Sequence, residues 1–217
     1  MGVGPGTELL VVSGDPLWPV AGGGRERAAG LVGALAGRFS VRVLAPVEGS
    51  PPEGMSIGVV ALPEEEPVAR LVAVLSPQPR RGRALLGPAR SRALLQAIAD
   101  HRPRAVLFLA GYLAAAAPSI EPAIFVDFAE LSVRRTAATV LESVKARWWE
   151  PLEARRAVAV SASTPDDVAL LASWGARAVL VPDATSASTW EQASAPLTDA
   201  VEQVVRAPRM TSGPSPS

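Results

Sequence analysis

Seven apolar runs recur along the chain, each flanked by polar or helix-like sequence: "ELLVVSG" (Glu8–Gly14), "SVRVLAP" (Ser40–Pro46), "SIGVVALP" (Ser56–Pro63), "AVLFLAG" (Ala105–Gly111), "AIFVDFA" (Ala123–Ala129), "AVAVSAS" (Ala157–Ser163) and "AVLVPDA" (Ala178–Ala184). The runs are continuous rather than alternating. Strands covered on both faces have this pattern, which is the signature of a parallel sheet sandwiched by helices. The order of runs and intervening helical stretches therefore predicts an α/β architecture with a single doubly wound, mostly parallel sheet and helices on both faces.

The intervening segments carry helical spacing. Ala28, Leu31, Val32 and Leu35 fall at i, i+3, i+4 and i+7, with Arg25, Arg27 and Arg38 off that stripe, so the first helix is expected to pack on the sheet. "PARSRALLQAIADHRP" (Pro88–Pro103) predicts a helix with Leu94, Leu95 and Ile98 inward and arginines outward. Ser132 to about Arg156 predicts a longer helix that Pro151 kinks or breaks, with Trp148, Trp149 and Trp174 plugging the core or covering a hinge face. Thr164 followed by "PDDVALLASWG" has a hydroxyl N-cap, proline in first position, acids in the first turn and Gly175 as the stop signal. Thr189–Ala207 predicts a last helix interrupted near Pro196. The division expected is a flexible leader at 1–7, one domain at 8–185, an appended helix at 189–207 and a disordered tail at 208–217.

Composition narrows the chemistry. The 217 residues are 48% hydrophobic and 19% charged with a formal net charge of zero, so a sizeable core is available and no global field draws the chain to nucleic acid. Absent cysteine excludes disulfides and thiolate chemistry, and a single histidine, His101, argues against a zinc cluster. No apolar run reaches the roughly 18 residues of a membrane span, and "MGVGPGTE" lacks the regions of a signal peptide; the expected location is cytoplasmic. The basic stretch Gln78–Leu95 reads as a solvated arginine face, with peripheral contact to an anionic membrane as the lesser alternative. Ser161 and Ser163 lack the G-x-S-x-G elbow of a hydrolase, and Asp166 and Asp167 fit a helix N-terminus better than a metal.

The densest candidate is "SGDPLWPVAGGGRERAAG" (Ser13–Gly30), a glycine-rich corner between the first strand and the first helix. Glycines there let backbone approach a ligand, and the helix start presents unpaired N–H groups to an anion. Neither G-x-G-x-x-G nor a P-loop lysine is present.

The stretch "LLVVSGDPLWPVAGGGRERAAGLVGALAGRFSVRVLAP" (Leu9–Pro46) resembles the opening of the N-terminal domain of GT-B glycosyltransferases, particularly the family 4 type. "HRPRAVLFLAG" (His101–Gly111), "AIFVDFAELSVRR" (Ala123–Arg135) and the segment from Trp148 to Ser186, ending in "VPDATS", are similar to that family's later motifs in order and spacing. The likeness extends over about the first 185 residues and implies a Rossmann-like domain. It also implies that Gly22, Gly23, Gly24 and Arg25 lie against the phosphates of a sugar nucleotide and the acceptor, with Trp18 as a stacking face. The bland alternative is a corner kept only for packing.

Two departures shape the functional expectation. From the hinge-like "VPDATS" the sequence passes almost directly to "STWEQASAPLTDAVEQVVRA", which resembles the helix that crosses back onto the N-terminal domain in such enzymes, so the donor domain is expected to be missing. The family's histidine after the fifth strand aligns with Ala129, leaving Glu130 and Asp127 as candidate acids or bases. The expectation is thus the acceptor-side half of a sugar transferase that needs a donor-domain partner, or else an inactive binding or scaffold partner of a full-length transferase. A protein partner or a second copy would meet it at the hinge face; no cofactor and no metal are implied.

Overall fold

The computed structural model describes residues 7–20, 23–63, 88–114, 120–129, 131, 140–183 and 189–208. Residues 1–6 of the leader, Gly22, Gln78–Gly87 of the basic stretch, Glu130, Ser132 to residue 139 and the tail beyond 208 lie outside the described residues. The elements in chain order are β1 (Leu9–Val12), α1 (Gly23–Ala36), β2 (Val41–Ala45), β3 (Gly58–Ala61), α2 (Pro88–His101), β4 (Ala105–Phe108) and α3 (Gly111–Ala114). They continue with β5 (Ala123–Phe128), α4 (Val140–Arg156), β6 (Ala159–Ala162), α5 (Pro165–Ser173), β7 (Ala178–Leu180) and α6 (Trp190–Val205).

Each apolar run supplies one strand, and together they form a single sheet in the order β3-β2-β1-β4-β5-β6-β7. Every pairing is parallel; Leu9 lies opposite both Val41 of β2 and Ala105 of β4. The reversal of order at β1 and β4 puts a crevice at the carboxyl ends of those strands, the usual ligand position in an open α/β sheet. Successive strand residues face opposite ways, which is why both parities are apolar. Leu9, Val11, Val41, Val43, Leu107 and Phe125 meet α1 and α6 on one face. Leu10, Val12, Leu44, Phe108, Val126 and Val160 meet α2, α4 and α5 on the other.

The caps follow their sequence signals. Thr164 Oγ1 accepts from the Asp167 N–H at 3.1 Å, and Gly175 leaves α5 at φ +85°, a conformation that favours glycine. Thr189 and Gln192 form a capping box at α6. Arg104, just before β4, donates to the Val205 and Ala207 carbonyls and closes the other end of α6.

Both prolines expected to interrupt helices are carried through: α4 contains Pro151 and α6 contains Pro196. The carbonyls that lose their partners belong to Arg147 and Gln192, both exposed residues on the solvent side, while the buried faces hold the helices together. In α2 the inward residues are Arg90, Leu94 and Ala97, and Leu95 is half exposed. Arg90 was expected outward; its Nε donates to the Pro63 carbonyl at 2.7 Å.

The last helix is a core element. Leu197, Val201 and Val205 are buried against the sheet, and the indole of Trp190 lies over Gly30 of α1. A Cβ at Gly30 would overlap that ring, so glycine at this position is required by the approach of α6. Gly30→Val should lower stability by about 1–3 kcal/mol in urea denaturation, and should cost clearly less in a Trp190→Ala background, because the overlap it creates is then gone.

Helix α4 is unusual in what it buries. Lys145, Glu150 and Glu153 are buried beside Ala146 and Ala154, and Trp148, expected to plug the core or cover a hinge face, does not plug the core: it is 76% exposed. Burial raises the Glu153 carboxyl to about 7, opposed by Arg156, whose guanidinium stands 4.0 Å away. A carboxyl held above its unfolded value binds its proton more tightly in the native state, so stability falls as pH rises from about 4.5 to 7. Glu153→Gln should flatten that decline and raise the melting temperature at pH 8, with about 3 kcal/mol as the upper bound on the gain; thermal melts of both forms from pH 4 to 8 measure it.

Candidate functional site

The glycine corner lies at the carboxyl edge of the sheet. After β1, Ser13 N–H donates to the Leu44 carbonyl at 2.9 Å, and Ser13 Oγ donates to the Asp15 carbonyl at 2.6 Å, turning the chain out of the sheet. Leu17 and Trp18 then plunge into the core, with a cis peptide between Trp18 and Pro19. The exposed stacking face expected of Trp18 is therefore absent: the indole is 5% exposed and supports the corner from beneath. Gly49, on the loop after β2, comes so close to the Trp18 carbonyl that a Cβ there would sit 3.1 Å from it.

Helix α1 begins at Gly23 and continues through Gly24, so these two glycines form its first turn. A Cβ at Gly24 would meet nothing within 4 Å, so internal packing does not require glycine at that position. Arg25 reaches sideways to Glu48, with Nη1 3.1 Å from Oε2 and both groups partly exposed. Such a surface pair is weak and is readily exchanged for another anion.

One helical step deeper stands a residue that the sequence pattern places off the apolar stripe. Arg27 is buried, and its guanidinium spans three strands' worth of the carboxyl edge. Nε donates to Asp127 Oδ2 at 3.0 Å and Nη2 to Asp127 Oδ1 at 2.7 Å, a bidentate pair. Nη1 donates to the Val181 carbonyl at 2.7 Å and to Asp183 Oδ1 at 3.0 Å. Ser161 Oγ of β6 donates to Asp127 Oδ1 at 2.6 Å. Burial pulls the Arg27 pKa down, but Asp127 and Asp183 outweigh it and hold it above the ordinary value.

This arrangement decides what Asp127 can do. Both of its oxygens are committed, and the group is 2% exposed, so it positions α1 rather than exchanging protons with a bound molecule. Ala129, at the position aligned with the family histidine, lies just beyond β5, its carbonyl accepting from Ser163 Oγ at 2.9 Å. Glu130 and Gly22 are outside the described residues. His101 ends α2 on the opposite, amino edge of the sheet. Asp166 and Asp167 occupy the first turn of α5, as their spacing predicts. Among the described residues no group of three His, Cys, Asp or Glu could hold a metal, and no helix is long and apolar enough to cross a membrane.

No family model matches the chain, and no curated protein matches it. Its fold is found in solved structures of sugar-nucleotide enzymes. Sucrose-phosphate synthase from Thermosynechococcus elongatus aligns over 82% of this chain and 48% of that one, at 14% identity and a TM-score of 0.60. A second chain of that enzyme, described with the ranges 27–220 and 406–426, aligns over 98% of its length and 90% of this chain, at 13% identity and a TM-score of 0.59. UGT2 of Phytolacca americana, complexed with UDP-2-fluoro-glucose and pterostilbene, aligns over 85% of this chain and 56% of that one, at 13% identity and a TM-score of 0.51. UDP-N-acetylglucosamine 2-epimerase from Rickettsia bellii reaches the same TM-score at 9% identity, over 90% of this chain and 48% of that one. At these identities the likeness is one of fold. The chain spans about half the length of these enzymes, the two-range chain excepted.

The Arg27 hub makes a direct prediction. Arg27→Met leaves the Asp127 carboxylate buried without its cation and should cost about 3–5 kcal/mol in urea denaturation, whereas Arg27→Met with Asp127→Leu should recover most of that loss.

Proposed function

We propose that this chain is the acceptor-side lobe of a two-lobed GT-B glycosyltransferase, similar to the family 4 type. Transfer from a nucleotide sugar then requires a donor lobe, supplied by a partner or by further polypeptide. The observation that carries this reading is the return of α6: after β7 the chain comes back across the sheet and locks Trp190 onto Gly30 of α1. The match to a sucrose-phosphate synthase chain described with one long and one short separate range, over 98% of that chain's length, supports this reading, since one lobe with a returning segment would have that form.

In this reading Gly22, Gly23 and Gly24 cradle a phosphate or sugar against the amino end of α1, where backbone N–H groups and the helix dipole favour negative charge. The open space beside Gly24 supports it, since something other than the chain's own packing explains glycine there. Arg25 releases Glu48 and takes the ligand's anion. Arg27 and Asp127 act behind this row as positioning residues, and Glu130 is left as the acid available for proton transfer. Asp183, 68% exposed at the exit of β7, links Arg27 to the hinge where a donor lobe would join.

A second reading is favoured by one specific observation: the family's histidine position is Ala129, and the acid two residues before it is locked in an ion pair. On that reading the lobe is an inactive scaffold that holds a complete transferase through its hinge face.

Co-purification from the native source, followed by assay with nucleotide sugars, separates the two. The purified chain alone is expected to turn over no nucleotide sugar. Capture of a protein carrying a donor lobe, with transfer that falls at least about tenfold in Gly23→Val, supports the first reading. Capture of a complete transferase supports the second. Turnover by the chain alone overturns the need for a donor lobe, and a partner-free monomer overturns the scaffold reading and a donor lobe supplied by a separate protein.

A further inference from the structure

The outward face of α4 is apolar where a solvated helix face is ordinarily polar. Leu141, Val144, Trp148 and Leu152 are all exposed, and their spacing of i, i+3, i+7 and i+11 places them within an arc of about 80°. The stripe is about 16 Å long and one helix wide. Among the described side chains, the exposed charges of α4 are those of Arg147, Arg155 and Arg156, whereas Lys145, Glu150 and Glu153 are buried. The described exposed charges are thus sorted to one sign, with cations flanking an exposed indole.

From this sorting we propose that α4 is a membrane-docking element, laying Trp148 and its aliphatic neighbours into the headgroup boundary of an anionic bilayer while the arginines meet lipid phosphates. The chemistry fits each part. Tryptophan is the side chain that prefers the boundary between hydrocarbon and water, and stable peripheral anchoring takes two signals, an inserted apolar surface and a basic rim. Other occupants fit less well. A stable protein interface uses some 20–30 residues a side, and this stripe offers four large side chains on a ridge. A second copy docked about a two-fold axis would bring the same arginine-rimmed patch against itself. The inference is independent of the sugar-transfer reading, because α4 covers the face of the sheet opposite α1 and the helix start beside the glycine corner.

Co-sedimentation of the full chain with vesicles tests it. The chain has no net charge, so bulk attraction to an anionic surface is not expected to mask the result. The chain should partition onto vesicles of phosphatidylcholine with phosphatidylglycerol, weakly or not at all onto phosphatidylcholine alone, and less as salt is added. Trp148→Ser should weaken partitioning about tenfold and Arg147→Ala about fivefold, both with unchanged thermal melts, because these side chains stand in solvent. Failure of the full chain to bind the anionic vesicles at low salt overturns the proposal, as does equal binding by Trp148→Ser. A solution dimer that Trp148→Ser converts to monomer also overturns it and assigns the stripe to a second copy.

Discussion

A guanidinium buried at the carboxyl edge of a parallel sheet is the constraint from which the rest of this structure is best understood. Arg27 leaves α1 on one face, yet its partners belong to β5 and the exit of β7, with Ser161 of β6 joining through Asp127. Taking these charges out of water is expensive, and a bidentate pair with further hydrogen bonds repays that cost only when the geometry is held. The pair is therefore better regarded as a specification than as a source of net stability. It fixes how far α1 may slide or rotate over the strands, and hence where the glycine turn at its amino end stands relative to the crevice between β1 and β4. It also ties that turn to Asp183, the last described residue before the chain crosses to α6.

The same helix is constrained a second time, from outside. Gly30 lies one turn beyond Arg27 toward the carboxyl end of α1, and the slot it opens admits Trp190 of α6. Inner and outer contacts together make α1 a strut with little freedom. A ligand site built at the start of such a strut is preorganised, since its N–H groups need not be reoriented when an anion arrives. Among the described residues of this corner, the exposed Arg25–Glu48 pair can exchange without disturbing the core.

Much of this was legible in the sequence, and the parts that were not share a cause. The seven apolar runs each became a strand, because continuous apolar sequence is the direct consequence of covering both faces of a sheet. Thr164 and Gly175 acted as written, because caps are decided within a few residues. Pro151 and Pro196 did not break their helices, because tertiary burial on the inner face decided the matter and local propensity did not. The burial of Arg27 was not legible, because a stripe of apolar residues says where a helix faces but not how far an adjacent long side chain reaches inward. A signal was nonetheless present: an aspartate inside "AIFVDFA", a strand covered on both faces, requires a buried cation somewhere, and Arg27 borders the apolar stripe. Of the glycine corner, the position at the carboxyl edge followed from topology, but the burial of Trp18 did not, since an aromatic beside two prolines reads equally well as surface or core.

Helix α4 shows the limit of reading amphipathicity from composition alone. A half-turn rotation would bury Trp148 and Leu152 and expose Glu150 and Glu153, which hydration alone favours. The residues that lie inward beside the acids explain why the helix does not take it. Ala146 and Ala154 are small and buried, and Ala154 shares a core cluster with Val126 and Val160; an indole and a leucine turned to that side would need more room than two alanines leave and would disturb the packing there. Size thus selects the inner face, and the polarity of both faces follows from that choice. The raised Glu153 carboxyl and the exposed Trp148 indole are two consequences of one packing decision. A fold that tolerates both at once spends stability at the core and solubility at the surface, and a surface that takes up the indole removes the second of those costs.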